Sequence, residues 1–222
     1  MLSPELESIK RRLLKLDTPA VSDTLDSLGQ ETALHGIASR VNGTKLAGPV
    51  FTVQYEPFDD KPRDFQNAGN YIDEVPSNHV ILIDNSGSTE CTNWGDILTR
   101  KALLQNIEGT IVNGSARDLS FIQKSGYPLF SRGIYMVSGK NRVRIKATNI
   151  PLKISGVTIN PGDWAFADDN GALILPRPLI PTILERAEKV HQTELRIVEA
   201  IKNGESLQSA RANLGYSNPW ES

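Results

Sequence analysis

Apolar positions along the chain switch between helical and strand-like periods. After Ser3-Pro4, a cap followed by proline at the first helical position, Leu6, Ile9, Leu13 and Leu16 recur at helical spacing. Thr18-Pro19 repeats the start signal, with Val21, Leu25 and Leu28 as the apolar face and Gly29 as the stop. Two helices are therefore expected within residues 1–30. "AGPVFTVQY" reads as a strand, and the polar stretch that follows, to residue 78, predicts no clear element. "HVILID", residues 79–84, is a continuous apolar run of the kind found in a strand buried on both faces. After a Gly/Ser-rich loop the helical period returns near Trp94, with Trp94, Ile97, Leu98 and Ala102 as the inner face, and "TIVN" is the next strand. Strand, helix and strand in that order form a βαβ unit, whose two strands run parallel.

The second half is richer in β. "RVRIKAT", "LKISGVTI", "DWAFA" and "ALILP" read as strands separated by "NPGD" and "DDNG" turns. Asp168-Asp169 invites a metal reading, but Asp-Asn-Gly between two strands is first a tight hairpin. From Pro178 to Asn203 a long amphipathic helix is expected, its seam stepping through Ile180, Ile183, Ala187, Val190, Glu194, Ile197 and Ile201. Glu194 is the charged residue of that seam and needs a partner. Either it forms a salt bridge at the edge of the stripe, or the helix packs on another subunit and Glu194 reaches that subunit's site.

With 222 residues, 39% hydrophobic and 23% charged, the chain suits one core, so residues 1–222 are expected to form a single domain with a helical tail from 178 to 222. A formal net charge of -2 without a basic block argues against nucleic acid as a partner. One cysteine excludes an internal disulfide, no apolar run reaches the roughly 18 residues of a membrane span, and the charged start lacks the apolar core of a signal peptide. A cytoplasmic protein acting on a small molecule is the expectation.

Chemistry points to the βαβ unit. His35, His79 and His191 are widely spaced, and no G-x-S-x-G elbow, Walker loop or G-x-G-x-x-G is present. Cys91 has no histidine partner in the sequence, and Asp23 and Asp26 read as solvated helix charge. Lys101 and Lys124 lie in helical runs beside polar residues, which does not favour a Schiff-base lysine. What remains is Asp96, in the first turn of the unit's helix, and Arg117-Asp118, just after its second strand. Both lie beyond the C-terminal ends of parallel strands, the edge where α/β proteins bind ligands. Two carboxylates suit Mg²⁺ or Mn²⁺, the Arg117 fork suits a carboxylate or carbonyl oxygen, and the helix N-terminus favours an anion. A 2-oxo acid matches all three. The same residues also have an ordinary explanation, Asp118 as an N-cap and Arg117 in a surface ion pair.

"WGDILTRKA", "GTIVNGSARDLSFIQKSGYPLFSRG", "PGDWAFADDNGALILP" and "AGPVFTV" resemble the RraA-like family, which includes class II 4-hydroxy-4-methyl-2-oxoglutarate/4-carboxy-4-hydroxy-2-oxoadipate aldolases. Their pattern of an aspartate, twenty intervening residues and then Arg-Asp is met by Asp96, Arg117 and Asp118. A second branch of the family comprises regulators that inhibit a ribonuclease through protein contacts. Those carry glycine where this chain has Asp96 and an acidic residue where it has Phe121.

The resemblance implies an α/β fold, a swivelling β/β/α domain with N-terminal helices and a long C-terminal helix, assembled as a homotrimer or homohexamer. It implies a lyase using Mg²⁺ or Mn²⁺ that releases pyruvate through its enolate, by aldol cleavage or by oxaloacetate decarboxylation. Asp118 would bind the metal directly and Asp96 through water. Arg117 would contact the keto oxygen, and the loop amides of Cys91, Thr92, Asn93, Trp94 and Gly95 would hold the substrate carboxylate. Glu194 of a neighbouring subunit would complete the metal's water shell. Residues 54–78 depart from the family's usual course.

Overall fold

The computed structural model describes residues 3–58 and 69–221. Two helices, α1 (Pro4–Leu13) and α2 (Thr18–Ser27), precede a mixed sheet region. Its strands are β1 (Ala38–Ser39), β2 (Leu46–Pro57), β3 (Val80–Asp84) and β4 (Thr92–Trp94), then, after α3 (Asp96–Leu104), β5 (Gly109–Ala116). Next come α4 (Leu119–Ser125), β6 (Leu129–Ile134), β7 (Val143–Thr148), a hairpin of β8 (Leu152–Ile154) and β9 (Val157–Ile159), and a second hairpin of β10 (Trp164–Asp168) and β11 (Gly171–Leu175). The long α5 (Ile180–Lys202) and short α6 (Leu207–Asn213) follow. This is the mixed α/β arrangement that the sequence predicts.

The sheet runs β1-β6-β5-β3-β2-β10-β11, with β4 added on β5 and β7 on β2. Strands β2, β3, β5 and β6 pair in parallel, while β10 runs antiparallel to both β2 and β11. Every residue of β3 is buried, as its unbroken apolar run requires. Alternate β3 side chains serve different cores. Ile81 and Ile83 pack with Val53, Val112, Ala102 and Ile122 beneath α3 and α4. Val80 and Leu82 face Val50, Ile111, Phe130 and the β8–β9 hairpin. A third core lies between Trp164, Phe166, Leu173 and Leu175 of the β10–β11 hairpin and the helices α1, α2 and α5.

Three expectations are corrected. The side chain that caps α2 is Asp17, accepting from the Ala20 amide at 3.0 Å, and not Thr18. Thr18 is taken by a long-range partner: its amide and hydroxyl both donate to the buried Asp168 carboxylate, at 2.8 and 2.7 Å. The Asp168–Gly171 hairpin is the tight turn expected, and it also anchors the N-terminal helices. The helix after the loop starts at Asp96, with Trp94 in β4, and Ile97 is 75% exposed where an inner position was expected. Finally, the first half of the α5 seam is covered by its own chain: Ile180, Ile183 and Ala187 join Leu13, Val21 and Leu25 in the third core, while Ile201 at its far end is exposed. Arg12 of α1 forks onto Glu188 of α5 at 2.6 and 2.8 Å, reinforcing that packing. Part of the stretch that the sequence left without an element, residues 59–68, lies outside the described residues; Asn70–Glu74 beyond it forms a 3-10 turn.

The Asp168 contact makes stability depend on pH. Burial alone would raise this carboxyl, but hydrogen bonds from Thr18 and Asn170 outweigh burial and hold it below its ordinary value. A carboxylate lowered in the folded state stabilises above its unfolded pKa and loses that contribution as pH falls through the folded one. Thr18→Val should therefore cost about 1.5 kcal/mol near neutral pH. In melting curves the gap between variant and parent should narrow as pH falls below the ordinary carboxylate range.

Candidate active site at the ends of β4 and β5

The βαβ unit brings its two candidate segments together through a set of fixed contacts. Asp84 ends β3 and accepts from Asn113 Nδ2 at 2.7 Å and from the Ser86 amide at 2.9 Å, which turns the chain into the loop that leads to β4. Trp94 is then clamped. Its indole N–H donates to Thr99 Oγ1 at 2.9 Å, its ring stacks on Tyr127 with centroids 5.9 Å apart, and its carbonyl accepts the Arg117 amide at 2.9 Å. Thr92 Oγ1 adds bonds to the carbonyls of Trp94 and Ser115. Gly95-Asp96 and Arg117-Asp118 are thus held face to face.

Asp118 stands at the N-terminal boundary of α4, but its side chain does not cap that helix. Its backbone is left-handed, φ 59° and ψ 32°, a conformation that costs a side-chain-bearing residue about 1–3 kcal/mol. The twist sends the carboxylate across to the neighbouring helix, where Oδ2 accepts the Asp96 amide at 3.0 Å. Arg117 Nε lies 3.4 Å from the same oxygen. The simple N-cap explanation is set aside by this geometry. Gly95 is required by close approach: a Cβ there would stand 2.6 Å from Asp118 Oδ2. On the far side Asp96 faces Arg100 at 3.6 Å, and the Arg100 guanidinium lies over the Phe121 ring at 3.8 Å. Phe121 therefore ties α4 to α3 through a cation–π contact.

These residues line a cleft of about 440 Å³. Thr92, Asn93, Trp94, Gly95, Asp96, Arg117 and Asp118, seven of the nine residues predicted from the sequence, are in its wall. Cys91 and Glu194 are not. Cys91 is buried in the first core, where burial pushes its thiol up while the Arg142 charge and Asn85 pull the other way. Glu194 sits half-buried on α5, and burial together with the charges of Asp17 and Asp23 raises its carboxyl. Among the described residues, no α5 side chain borders the cleft. One of the expected loop amides is spent as well, since that of Thr92 donates to the Val137 carbonyl.

Sequence reasoning missed three parts of the wall. Tyr55 comes from the end of β2, and burial pushes its phenol far up. Asp73, in the 3-10 turn, pairs with Lys101 at 2.7 Å, so the Lys101 ammonium has a carboxylate partner. Ser138, Gly139 and Lys140 close the cleft from the loop after β6. Only the last carried a signal, the turn-forming "SGKN".

The donor chemistry fits a hard divalent cation. Among the described residues, no group of three or more His, Cys, Asp or Glu is placed to hold a metal ion, and the Asp96–Asp118 part of the cleft wall offers two carboxylates. Mg²⁺ and Mn²⁺ keep several waters and need one or two carboxylates. In Asp118, Oδ2 is held by the Asp96 amide and Arg117, while Oδ1 has no protein partner among the described residues.

Known proteins bear on the same region. Residues 18–174 match the RraA-like family, described as Aldolase/RraA. Protein DlpA of Legionella pneumophila is 44% identical over 218 residues, 98% of this chain, although the chain spans 35% of DlpA's length. A Halalkalibacterium halodurans protein named "Putative 4-hydroxy-4-methyl-2-oxoglutarate aldolase" is 28% identical over 174 residues, 78% of this chain and 79% of its own. Among solved structures, an uncharacterized protein from Pseudomonas syringae superposes with TM-score 0.86 at 46% identity, over 95% of this chain and all of its own. RraAS2 of Streptomyces coelicolor, described as an unusual member of the RNase ES inhibitor RraA protein family, superposes with TM-score 0.78 at 26% identity over 87% of this chain and 96% of its own. With a family match covering most of its length and a sheet and cleft to accord with it, the chain belongs to the RraA-like family.

Proposed function

We propose that the chain is a carbon–carbon lyase that uses Mg²⁺ or Mn²⁺ to release pyruvate from a 2-oxo acid, by retro-aldol cleavage of a 4-hydroxy-2-oxo dicarboxylate, by oxaloacetate decarboxylation, or by both. The observation that carries this reading is the left-handed Asp118. A strained residue that turns a carboxylate away from the helix it could cap and into a cleft beside Arg117 and Asp96 is a device for holding something there.

Asp118 Oδ1 would hold the cation directly, and Asp96 would reach it through water. A divalent ion so placed supplies electrophilic polarisation of the 2-oxo group. The protein's own groups account for the rest. The Arg117 guanidinium faces the cleft and offsets the negative charge that develops on the keto oxygen. Backbone N–H groups at the start of α3 favour the substrate carboxylate. In aldol cleavage the 4-hydroxyl would pass its proton to a water held by Asp96, C4 becomes a carbonyl, and the C3–C4 electron pair becomes the enolate of pyruvate, which takes a proton back from that water at C3. In decarboxylation the same enolate forms as carbon dioxide leaves. The buried cleft wall of Trp94, Ile72 and Tyr55 limits water around the reacting carbons.

The reading extends to the whole chain as a single cytoplasmic domain that acts as a trimer or hexamer, without nucleic acid or membrane as partner. Leu195, Val198 and Ile201, exposed on the outer side of α5, support self-association. No described helix is long and apolar enough to cross a membrane. Glu194 takes part only if a neighbouring copy carries it to the cleft. The regulator reading of the family draws support from the likeness to RraAS2, but it gives the strained Asp118 no task.

Asp118→Gly separates function from folding. Glycine accepts φ 59° without strain, which offsets part of the lost bond to the Asp96 amide, so the variant should still fold, with about 1 kcal/mol of stability or less lost in melting curves, while Mn²⁺ binding by calorimetry and pyruvate release are both lost. Asp96→Ala should keep the ion and lose activity by roughly 10- to 100-fold. Full activity in Asp118→Gly would sink the proposal. Borohydride added with substrate should leave every lysine unmodified, since Lys101 is paired with Asp73.

A further inference from the structure

The cleft is chemically uneven along its length. Arg117, Asp96 and Asp118 gather at one end, where α3 begins. From there the wall follows α3 through Ile97 and Leu98 to Lys101, which stands one turn on from both, at i+4 and i+3. At about 1.5 Å of rise per residue, Lys101 is displaced from Asp96 by roughly 7.5 Å along the helix axis. The facing wall belongs to the first core: Tyr55, Ile72 and Val143 are buried there and border the cleft, and Leu98 packs against the same core. Ile97 differs from these. It is apolar and borders the cleft, yet it is 75% exposed.

The charges of this far half are already matched. Lys101 is paired with Asp73 at 2.7 Å, so the pair carries no net charge, and its carboxylate would repel another. Lys140, on the loop after β6, is exposed, and its charge is screened by water and salt. A carboxylate moved from water onto Ile72, Leu98 and Val143 loses its hydration, whereas a hydrocarbon group gains by leaving water for the same place. The apolar stretch begins beside Asp96, whose water takes the proton of the 4-hydroxyl in aldol cleavage. The group that fills it is therefore the one carried on C4.

We infer that the far half of the cleft receives an apolar group, so that the preferred substrates are 4-hydroxy-2-oxo monoacids with a branched aliphatic or aromatic substituent on C4, and the second product is an apolar aldehyde. The inference rests on the lyase reading above and orders the substrates within it: dicarboxylates undergo the same cleavage and are the poorer members of the series. The bond changes are those already given. The C3–C4 bond breaks, its electron pair goes to the pyruvate enolate, the hydroxyl oxygen becomes the aldehyde oxygen, and the hydroxyl proton returns to C3 through water. Ile97 is the specificity-determining residue, because it is the exposed apolar side chain of this wall and gains cover from such a group.

The test has two readouts, both with Mn²⁺ present. Pyruvate release by wild type is compared for 4-hydroxy-2-oxo-4-phenylbutanoate, 4-hydroxy-5-methyl-2-oxohexanoate and the dicarboxylate 4-hydroxy-2-oxoglutarate. The two apolar acids should exceed the dicarboxylate in kcat/KM by about 10- to 100-fold, the gain expected for burying an isopropyl or phenyl group. Calorimetry then compares 2-oxo-4-phenylbutanoate with 2-oxoglutarate, which lack the 4-hydroxyl and cannot be cleaved, and the phenyl acid should bind about 10-fold tighter or more. Ile97→Lys changes an exposed position, so it should fold, and the cation it brings should lower both ratios by about 10-fold or more. Ile97→Thr, smaller and more polar, should lower them less, and it decides the matter if the lysine variant does not fold. A wild type that favours the dicarboxylate or treats the acids alike leaves the lyase reading standing and overturns this inference, and so does a folded Ile97 variant that keeps the wild-type ratios. If wild type releases pyruvate from none of these acids and none from oxaloacetate, the lyase reading itself fails and this inference fails with it.

Discussion

The Asp118 carboxylate reaches back across the ends of β4 and β5 to accept the Asp96 amide, and it can do so only because its own backbone is left-handed and position 95 is glycine. This one hydrogen bond joins the first residues of two helices that enter the sheet from adjacent strands. It fixes one carboxylate oxygen and leaves the other to face the cleft. Around it the Trp94 clamp, the Thr92 hydroxyl and the Arg100–Phe121 contact hold the two segments in register. The strain at Asp118 is thus supported by packing on every side, which is how an unfavourable backbone conformation persists.

The same construction explains why the cleft has the character it does. Its floor is the first core, apolar and buried, so the side chains that project from it are fixed against water. Charges gather at its rim: Asp96, Asp118 and Asp73 against Arg117 and Lys101. A small dianionic ligand entering such a place meets cationic and backbone donors at one end and an apolar wall at the other, the usual form of a small-molecule site. The third core, with α1, α2 and α5, stands apart from this chemistry, and Thr18 and Asp168 bind it to the sheet.

Much of the site was legible because it follows from connectivity. Parallel strands end at one edge, so Asp96 and Arg117-Asp118, each just past a strand, had to converge. What could not be read depends on contacts distant in sequence. Helical spacing places Ile97 beside Leu98 but does not say which face finds a neighbour, and Ile97 proved exposed. Thr18 looked like a cap because nothing local reveals that Asp168, 150 residues away, takes its amide and hydroxyl. The surroundings of Glu194 could not be read either, because Asp17 and Asp23, whose charges raise its carboxyl, lie far earlier in the chain.

The central claim is that this cleft releases pyruvate from a 2-oxo acid with the help of a divalent cation. The most direct measurement is pyruvate release from oxaloacetate and from 4-hydroxy-4-methyl-2-oxoglutarate by the wild-type protein, with Mg²⁺ or Mn²⁺, after EDTA, and after the metal is restored. The account predicts enzymatic release from at least one of the two, abolished by EDTA and recovered on adding back the ion. Release that persists unchanged in EDTA, or none above the metal-only rate with either acid, would contradict it.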